Sequence, residues 1–507
     1  MNYYFNEEHE LFRESLQSFL EKEVRPHINT WEEERRVPKS IWKKMGDLGF
    51  LGLSYPEEYG GSNLDFFFDV VFNEEMGRMN SGGFAITQQV TQYMSSPYIL
   101  KYGSEALKKK YLPGIISGDL LSSIGITEPG AGSDAANIQT KAIRDGDHYI
   151  VNGSKTFITN GVYGDFIITV VKTNPEAGTA GVSLLVIDRN MEGVSARKLK
   201  KLGWHASDTA ELNFDQVKVP VENLIGEEGS GFYYLMNGLQ LERLAALPAG
   251  ITAMEWAINK TLKYMSEREA FGRSINRFQV LRHRMVQLSA EVEALKAFSY
   301  QCCRMYADNV YDVKMCSMAK LLVTELCEKV ATQCLQMYGG YGFMEEYPMA
   351  RMYRDSRILT IGGGSSEIMR EILAKILIDN VNYEETANDN NLTDGTKNGM
   401  SSKTTTTEIP SIEKMLAGIQ AKAASAPTLG KTLKFDFGDQ QLFIDGTGNQ
   451  NTVNTENNEA DCTVQLSLVD FKSLTTGKLN PMTAVMSGQV KIAGDMGVAM
   501  KLQSLFS

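Results

Sequence analysis

Glu242 and Arg243 form an acid–base pair near the start of a long apolar stretch that is typical of a buried helix. The stretch runs from residue 238 to residue 273 and is rich in Leu and Ala. A carboxyl group in apolar surroundings holds its proton more tightly than in water, so Glu242 is a candidate general base. The alternative is a solvated charge on a helix face, which is the usual role of a helical Glu.

A second group of charges, residues 268–273, ends the same stretch. If the stretch is one helix, Arg268 lies 26 residues beyond Glu242 (268 − 242), up to about 39 Å away at ~1.5 Å per residue. Pro248 and Gly250 are positions where such a helix could bend. We expect the two ends to serve two different ligand molecules. Taken alone, Arg268 could equally be a solvated cation at a helix end.

Two further segments combine backbone freedom with side chains that can pack a ring. Residues 126–134, ITEPGAGSD, place a Pro and two Gly in one turn, where backbone N–H groups can bind ligand oxygens. Residues 155–161, KTFITNG, put Phe157, Ile158 and Thr159 in succession on a β-prone ribbon. This set can pack a flat ring and give its nitrogen a hydrogen bond. For the first segment alone, an ordinary glycine-rich turn is the alternative.

In this order and separation, the two segments resemble the flavin-binding signatures of the acyl-CoA dehydrogenase family, and the resemblance covers residues 1–382. It implies FAD as the cofactor and an acyl-CoA thioester as the substrate. By this resemblance, the residues around the flavin are Ile124, Ile126, Thr127, Gly132, Ser133, Phe157, Ile158 and Thr159. Ser133 would also border the acyl-CoA.

Three later segments resemble further FAD-contacting elements of this family. They contain Arg268, Phe271 and Gln279, then Gln336, Met337, Tyr338, Gly339 and Gly340, and finally Ser365, Ser366 and Glu367. The first group would contact the pyrophosphate side of FAD and, as is the habit of the family, the FAD of a neighbouring subunit. The second group would line the adenosine side, and the third would reach the flavin.

The sequence departs from the common family pattern at Gly363. Many members carry their catalytic Glu at this position, and a Gly cannot abstract a proton. The long-chain and isovaleryl branch has Gly here and places the Glu directly before an Arg at the start of the long helix, as Glu242 precedes Arg243. The resemblance therefore implies Glu242 as the catalytic base. It also implies a substrate-binding set that consists of Ser133, Tyr233, Leu241, Arg243, Gly363 and Gly364.

Membership of this branch implies α,β-dehydrogenation of medium- to long-chain acyl-CoA to trans-2-enoyl-CoA. Electrons would pass to electron-transfer flavoprotein, and the enzyme would be a homotetramer, a dimer of dimers. Two alternatives remain open from the sequence. One is an oxygen-reducing acyl-CoA oxidase, and the other is a lipid or acyl-CoA carrier whose flavin domains have lost catalysis.

The hydrophobic pattern along the chain predicts a multidomain protein. Its segments are an all-α domain (1–120), a small β domain (121–230), a helical bundle (231–382), a flexible linker (383–409) and a small α+β domain (410–507). The resemblance to the acyl-CoA dehydrogenase family implies that the second is a β-barrel or β-sandwich and the third a four-helix bundle. Asp-Gly and Asn-Gly pairs between β-prone runs favour hairpins in the second segment. The fourth segment is too polar to bury a core.

The last segment resembles a second family, the sterol carrier protein 2 lipid-binding domain. Residues 479–506 carry the resemblance, above all the run GQVKIAGDMGVAMKL. It implies an apolar tunnel for a lipid or acyl-CoA and no catalytic residues. We expect the domain to deliver long acyl-CoA to the dehydrogenase; a lipid-free structural domain is the alternative.

The composition narrows the classes of partner. The formal net charge of −11 argues against nucleic acid or an anionic membrane as the main partner. The sequence lacks an apolar run long enough for a transmembrane helix, and the five His and six Cys residues lack the spacing of metal ligands. The first residues read as an acidic amphipathic helix and not as a targeting signal. We therefore expect a cytoplasmic, bacterial-type protein without a metal site.

Overall fold

The computed structural model describes residues 3–310, 312–379 and 381, and then 420, 423, 426, 428–437, 440–466, 471, 490–495 and 498. The chain divides into two compact units, Met1–Ala374 and Lys375–Ser507. The expected linker at 383–409 lies outside the described residues. So does most of the 479–506 run that carries the second resemblance.

From Glu7 to Ile116 the chain is mainly helical. The α-helices are α1 (Glu7–Phe19), α2 (Ile28–Glu34), α3 (Lys39–Asp47), α4 (Phe66–Arg78), α5 (Gly82–Gln89), α6 (Ser96–Tyr102) and α7 (Glu105–Ile116). Polar caps fix several of their starts: the Asp65 carboxylate accepts the N–H of Phe67 at α4, and Ser104 Oγ accepts the N–H of Leu107 at α7. A π-helical segment, Val90–Ser95, joins α5 to α6.

A seven-stranded sheet follows the helices. Its strands are β1 (Ser122–Gly125), β2 (Lys141–Asp145), β3 (His148–Thr159), β4 (Phe166–Lys172), β5 (Val182–Asp188), β6 (Val194–Lys198) and β7 (Thr209–Pro220). The strand order is β1-β4-β2-β3-β7-β6, and β5 pairs with β4. The β1–β4 and β2–β4 pairs are parallel, and the others are antiparallel.

Strands β4 and β5 are buried on both faces, which explains why their sequences read as continuous apolar runs. Successive strand residues point to opposite faces. Accordingly, Phe166 and Ile168 pack with Leu112 of α7, whereas Ile167 packs with Phe214 of β7. The sheet is thereby fixed to the helical domain.

The third part of this unit is a helical bundle. Its helices are α8 (Gly231–Glu267), α9 (Gln279–Ala307), α10 (Val313–Met337), α11 (Pro348–Ser356) and α12 (Ser366–Leu377), and a two-stranded hairpin, β8 (Glu269–Ala270) and β9 (Arg273–Ser274), follows α8. Helix α8 is continuous over 37 residues although Pro248 lies inside it. Its C-terminal half contributes Leu247, Ile251 and Met254 to the bundle core.

In the second unit, the described residues form a five-stranded sheet. Its strands are β10 (Thr432–Asp436), β11 (Gln441–Asp445), β12 (Thr452–Asn454), β13 (Cys462–Leu466) and β14 (Val490–Gly494). The order is β12-β11-β10-β13-β14, with only the β10–β13 pair parallel in this sheet. Leu433, Phe435 and Val464 are buried. The predicted fold class, with helical, β and bundle parts in sequence, is confirmed.

Two observations concern the described residues as a whole. Their helices are all too short or too polar to span a bilayer. The same residues contain no cluster of three or more His, Cys, Asp or Glu side chains that could hold a metal ion.

The contact between α4 and α8 generates a stability prediction. A Cβ on Gly77 of α4 would overlap the carbonyl oxygen of Ala249 and the hydroxyl of Thr252, both on α8. We expect Gly77→Ala to lower the free energy of unfolding by about 1–3 kcal/mol, partly offset by the ~1 kcal/mol helix propensity of Ala over Gly. Chemical denaturation of the purified holoprotein measures the change.

Gly130→Ala is the matched control, because no heavy atom lies within 4 Å of a Cβ on Gly130. Equal unfolding midpoints for the two variants would contradict this account of the α4–α8 contact.

Candidate active site

The side chain of Glu242 faces the turn that precedes α12. A Cβ built on Gly363 would lie 3.5 Å from Glu242 Oε1. Gly363 and Gly364 have φ angles of 63° and 91°, in the left-handed region that favours glycine. A catalytic carboxylate could come either from position 242 of the helix or from position 363 of the loop. The structure brings these two positions to one place in the fold. Glu242 occupies it, and Gly363 leaves room for it.

Burial raises the pKa of Glu242 above its ordinary value of 4.5, and the neighbouring Arg243 and Lys320 charges oppose this increase. Arg243 is 9% exposed and Lys320 is 4% exposed, so both charges act through a poorly solvated medium, where they count for more than at the surface. The Glu242 charge in turn contributes to raising the pKa of Tyr98, a buried side chain of α6. The site therefore holds a buried carboxyl group with two cations near it.

Lys320 is a site residue that the sequence prediction missed. It lies on α10, and its ammonium group donates a hydrogen bond to the carbonyl oxygen of Gly364. Burial and then the charge of Arg243 lower its pKa to about 8. A Lys within the apolar stripe of a core helix was the available signal, because such a residue is rarely buried without a partner.

The two flavin-signature segments are adjacent. The N–H of Thr156 donates to the carbonyl of Thr127 at 2.8 Å. One residue from each segment forms a buried ion pair: Lys155 Nζ lies 2.7 Å from Glu128 Oε1. The Lys155 side chain is 0% exposed and the Glu128 side chain 5%. Glu128 also accepts the N–H groups of Gln139 and Thr140 at 2.6 and 3.0 Å. Neither member of this ion pair was among the predicted site residues, although both belong to the two motifs.

The structure gives the three consecutive residues Phe157, Ile158 and Thr159 different surroundings. The β3–β7 register shifts between Lys155 and Ile158, and such an irregularity re-aims the strand's side chains. Phe157 has a φ of 62° and is 69% exposed, so its ring is open to a ligand. Ile158 is 3% exposed and packs in the sheet core, so any ligand contact of Ile158 would come from its backbone. Thr159 ends the strand.

A cavity of about 620 Å³ lies at the other end of α8. Six of the predicted residues line it, namely Arg268, Gln336, Met337, Tyr338, Gly339 and Gly340. Tyr264, Arg284 and Tyr341 also line it and were missed. Phe271 is 94% exposed, and Gln279 is the first residue of α9. Arg268 and the 336–340 segment therefore line one cavity. It lies at the opposite end of the continuous helix α8 from Glu242.

The remaining predicted residues lie on α8, at the start of α12 and in the 126–134 turn. Ser365, Ser366 and Glu367 lie at the start of α12, and the buried Ser366 hydroxyl has no hydrogen-bond partner in the described part of the chain. Tyr233 of α8 packs near Tyr102, with ring centroids 6.4 Å apart. Leu241 packs against the core of the helical domain. Gly132 and Ser133 are exposed in the 126–134 turn.

Family models match nearly the whole chain. The acyl-CoA dehydrogenase models match residues 6–119 (N-terminal domain), 123–217 (middle domain) and 229–378 (C-terminal domain). The SCP-2 sterol transfer family model matches residues 412–507.

Three similar proteins illustrate the match. The mitochondrial long-chain specific acyl-CoA dehydrogenase of Sus scrofa is 39% identical over 74% of this chain and 87% of its own. The crystal structure of an acyl-CoA dehydrogenase from Geobacillus kaustophilus is 44% identical, with a TM-score of 0.72 over 75% of this chain and 100% of that one. A structure titled as the electron transferring flavoprotein of Acidaminococcus fermentans is 33% identical, with a TM-score of 0.72 over 75% of this chain and 100% of that one.

The helical, sheet and bundle parts, with a buried carboxyl group opposite a glycine turn, define a flavoprotein dehydrogenase. This chain belongs to the acyl-CoA dehydrogenase family, whose members depend on FAD. The structure fits that cofactor: the Phe157 ring is exposed beside the signature turn, the Ser366 hydroxyl is buried without a partner among the described residues, and the arginine-lined cavity is open.

The Lys155–Glu128 pair generates a prediction. Lys155→Met leaves the Glu128 carboxylate buried without its cation, which costs about 3–5 kcal/mol of folding free energy and loosens the 126–134 turn. We expect a lower unfolding midpoint and less flavin per subunit. Denaturation curves and visible absorbance measure the two effects.

Lys108→Met is the control, since Lys108 pairs with the 62%-exposed Glu105, and such surface pairs contribute little. If Lys155→Met retained both the stability and the flavin content of the wild type, the buried pair would have no role in holding the turn.

Proposed function

We propose that this chain oxidises medium- to long-chain acyl-CoA to trans-2-enoyl-CoA, with Glu242 as the catalytic base and electron-transfer flavoprotein as the electron acceptor. The observation that carries the proposal is the convergence of Glu242 with Gly363, since a Cβ at Gly363 would be 3.5 Å from the Glu242 carboxylate. A relative that is 39% identical is named a long-chain specific acyl-CoA dehydrogenase, and this supports the proposed length of the acyl chain. The cytoplasmic location remains a prediction from the sequence.

The reaction begins with a weakly acidic proton on the carbon next to the thioester carbonyl. Glu242 must be ionised to accept it and basic enough to compete for it. Burial makes Glu242 more basic, while Arg243 and Lys320 favour its ionised form. The net effect is a raised pKa, which makes Glu242 a stronger base than a surface carboxylate.

We place the cofactor along the sites described above. Phe157 and Thr159 would contact the flavin, and Arg268 with the 336–340 segment would hold the pyrophosphate and adenosine side. When bound, FAD supplies the two-electron acceptor for the hydride that leaves the β-carbon. The chain's own residues orient the thioester over Glu242 and exclude water from the base.

The two ends of α8 support a homotetramer built from dimers. Helix α8 is continuous from Gly231 to Glu267, so Glu242 and Arg268 stand about 39 Å apart at ~1.5 Å per residue. A single FAD molecule cannot reach both ends in one subunit if it lies across the base. We infer that Arg268 binds the FAD whose flavin lies at the Glu242 of a neighbouring subunit.

The SCP-2-like unit supports a carrier role. A long acyl-CoA is sparingly soluble, and a tethered carrier raises its local concentration at the enzyme to about millimolar for a short flexible linker. Burial of Leu433, Phe435 and Val464 shows that the described strands have an apolar side. We propose that this unit delivers acyl-CoA to the dehydrogenase.

Glu242→Gln tests the base. The variant keeps the shape of the side chain but cannot accept a proton, so we expect flavin content near that of the wild type and a turnover loss of about 10²-fold or more. Anaerobic mixing with acyl-CoA, followed by flavin absorbance, measures proton abstraction and hydride transfer together. The wild type should bleach, and its rate should fall at acidic pH as Glu242, with its raised pKa, becomes protonated.

Glu267→Gln is the matched control, because Glu267 lies on the same helix with its side chain 62% exposed. Wild-type bleaching by Glu242→Gln would remove Glu242 from its role. Bleached enzyme that is rapidly reoxidised by air would favour an oxidase, and a wild type that never bleaches would favour a non-catalytic carrier.

Removal of residues 390–507 tests the carrier role. We expect turnover of a short, soluble acyl-CoA to stay unchanged, while turnover of a long-chain acyl-CoA at limiting concentration falls. Residues 410–507 added as a separate chain at equal concentration should not restore the rate, because the tether is lost. Unchanged turnover of the long-chain substrate would exclude delivery by this unit.

A further inference from the structure

Three consecutive glycines, residues 362–364, form the turn opposite the base. Glycine has more backbone freedom than any other residue, so such a run keeps one conformation only if other groups hold it. On its N-terminal side, the N–H of Gly362 donates to the carbonyl of Ile358 at 2.8 Å. On its C-terminal side, the N–H of Met369 donates to the carbonyl of Ser365 at 2.9 Å.

Between these two bonds, the contact to the Gly364 carbonyl comes from Lys320 of α10. The donor is 4% exposed, and it enters the site from α10, whereas Glu242 lies on α8 and Gly363 in the turn before α12. A trans peptide bond is planar, so fixing the Gly364 carbonyl also fixes the orientation of the following N–H. Lys320 therefore restrains the C-terminal end of the glycine run.

We propose that Lys320 is a positioning residue for the reaction: it holds the 362–364 turn against the Glu242 carboxylate and supplies that carboxylate with a fixed positive charge. This inference rests on the proposed function of Glu242. Lys320 acts through the turn and the base and is not itself the group that abstracts the proton.

The charged groups around this pair come from four helices. Glu242 faces Arg243 on its own helix α8, Lys320 on α10 and Tyr98 on α6. Lys320 faces Arg243 and Glu242 on α8, Glu325 on its own helix and Glu367 on α12. Loss of the Lys320 charge leaves Arg243 as the remaining cation among the groups that act on Glu242. The pKa of Glu242 should then rise, and the acidic limb of the rate profile should move to higher pH.

Three substitutions separate charge from bulk. Lys320→Met removes the charge and the hydrogen bond, Lys320→Gln removes the charge and keeps a donor, and Lys320→Arg keeps both in a different shape. Lys329→Met is the matched control, because Lys329 lies on the same helix in an ion pair with Glu291 and is 48% exposed. All are compared as holoenzyme with the wild type.

We expect the acidic limb of kcat/KM to move up by roughly one pH unit in Lys320→Met and Lys320→Gln and to stay in place in Lys320→Arg and Lys329→Met. The dissociation constant of a long-chain alkyl-CoA thioether, measured by calorimetry, should rise several-fold in Lys320→Met, because the turn is no longer held. A purely structural Lys320 would change the unfolding midpoint without moving the acidic limb.

The proposal is overturned if Lys320→Met keeps the wild-type limb and thioether affinity, or if Lys320→Arg shifts the limb as far as Lys320→Gln. Should Lys320→Met fail to fold, the Gln and Arg variants decide alone. Failure of the proposed function gives a different pattern, in which the wild type binds the thioether but does not oxidise acyl-CoA. The thioether affinities of the variants then still report on the turn.

Discussion

Glu242 can serve as a base only if the protein keeps its carboxyl group both buried and able to ionise, and these two requirements oppose each other. Burial raises its pKa, and the nearby Arg243 and Lys320 charges limit the increase. The cations are themselves buried, at 9% and 4% exposure, and need fixed partners of their own. Lys320 finds one in the Gly364 carbonyl. The glycine turn is thus part of the electrostatic balance as well as the space in front of the base.

Helix α8 connects the site to all three parts of the first unit, because it packs in the core of each. Tyr234 and Leu235, near its start, pack in the core shared with the sheet. Ala245 packs in the core of the N-terminal helices, and Leu247 and Met254 pack in the bundle. A residue between positions 235 and 247 is therefore held by three cores at once. Glu242 lies in this interval, which explains how a side chain on so long a helix keeps a defined position.

Much of the site could be predicted from the sequence because its residues belong to local motifs. The pairing of Glu242 with Gly363 followed from a departure from a family pattern. The apolar periodicity predicted a long helix but left open a bend at Pro248, where the structure shows a continuous helix. Contacts between distant segments could not be read in this way. Lys320 is 78 residues from Glu242 (320 − 242), and no local pattern connects the two.

The same limit applies to the flavin segments. The motif suggested three ligand-facing residues in succession, whereas strand geometry sends alternate side chains to opposite faces. Ile158 consequently lies in the sheet core, while Phe157 is exposed by a left-handed backbone that sequence periodicity does not reveal. Lys155 and Glu128 occupy motif positions for a different reason. They form a buried ion pair with each other, and this pair holds the shape of the 126–134 turn.

Proton transfer moves a negative charge without creating one. In the proposed reaction, the charge lies on the Glu242 carboxylate before the transfer and on the thioester of the substrate afterwards. Arg243 and Lys320 are near the base in both states and, being buried, need not reorganise as the charge moves. A base at position 363 would put the carboxylate within a run of glycines, the residue type with the greatest backbone freedom. Placing it on α8 keeps the base and both cations on helices, while Lys320 holds the glycine turn in front of them.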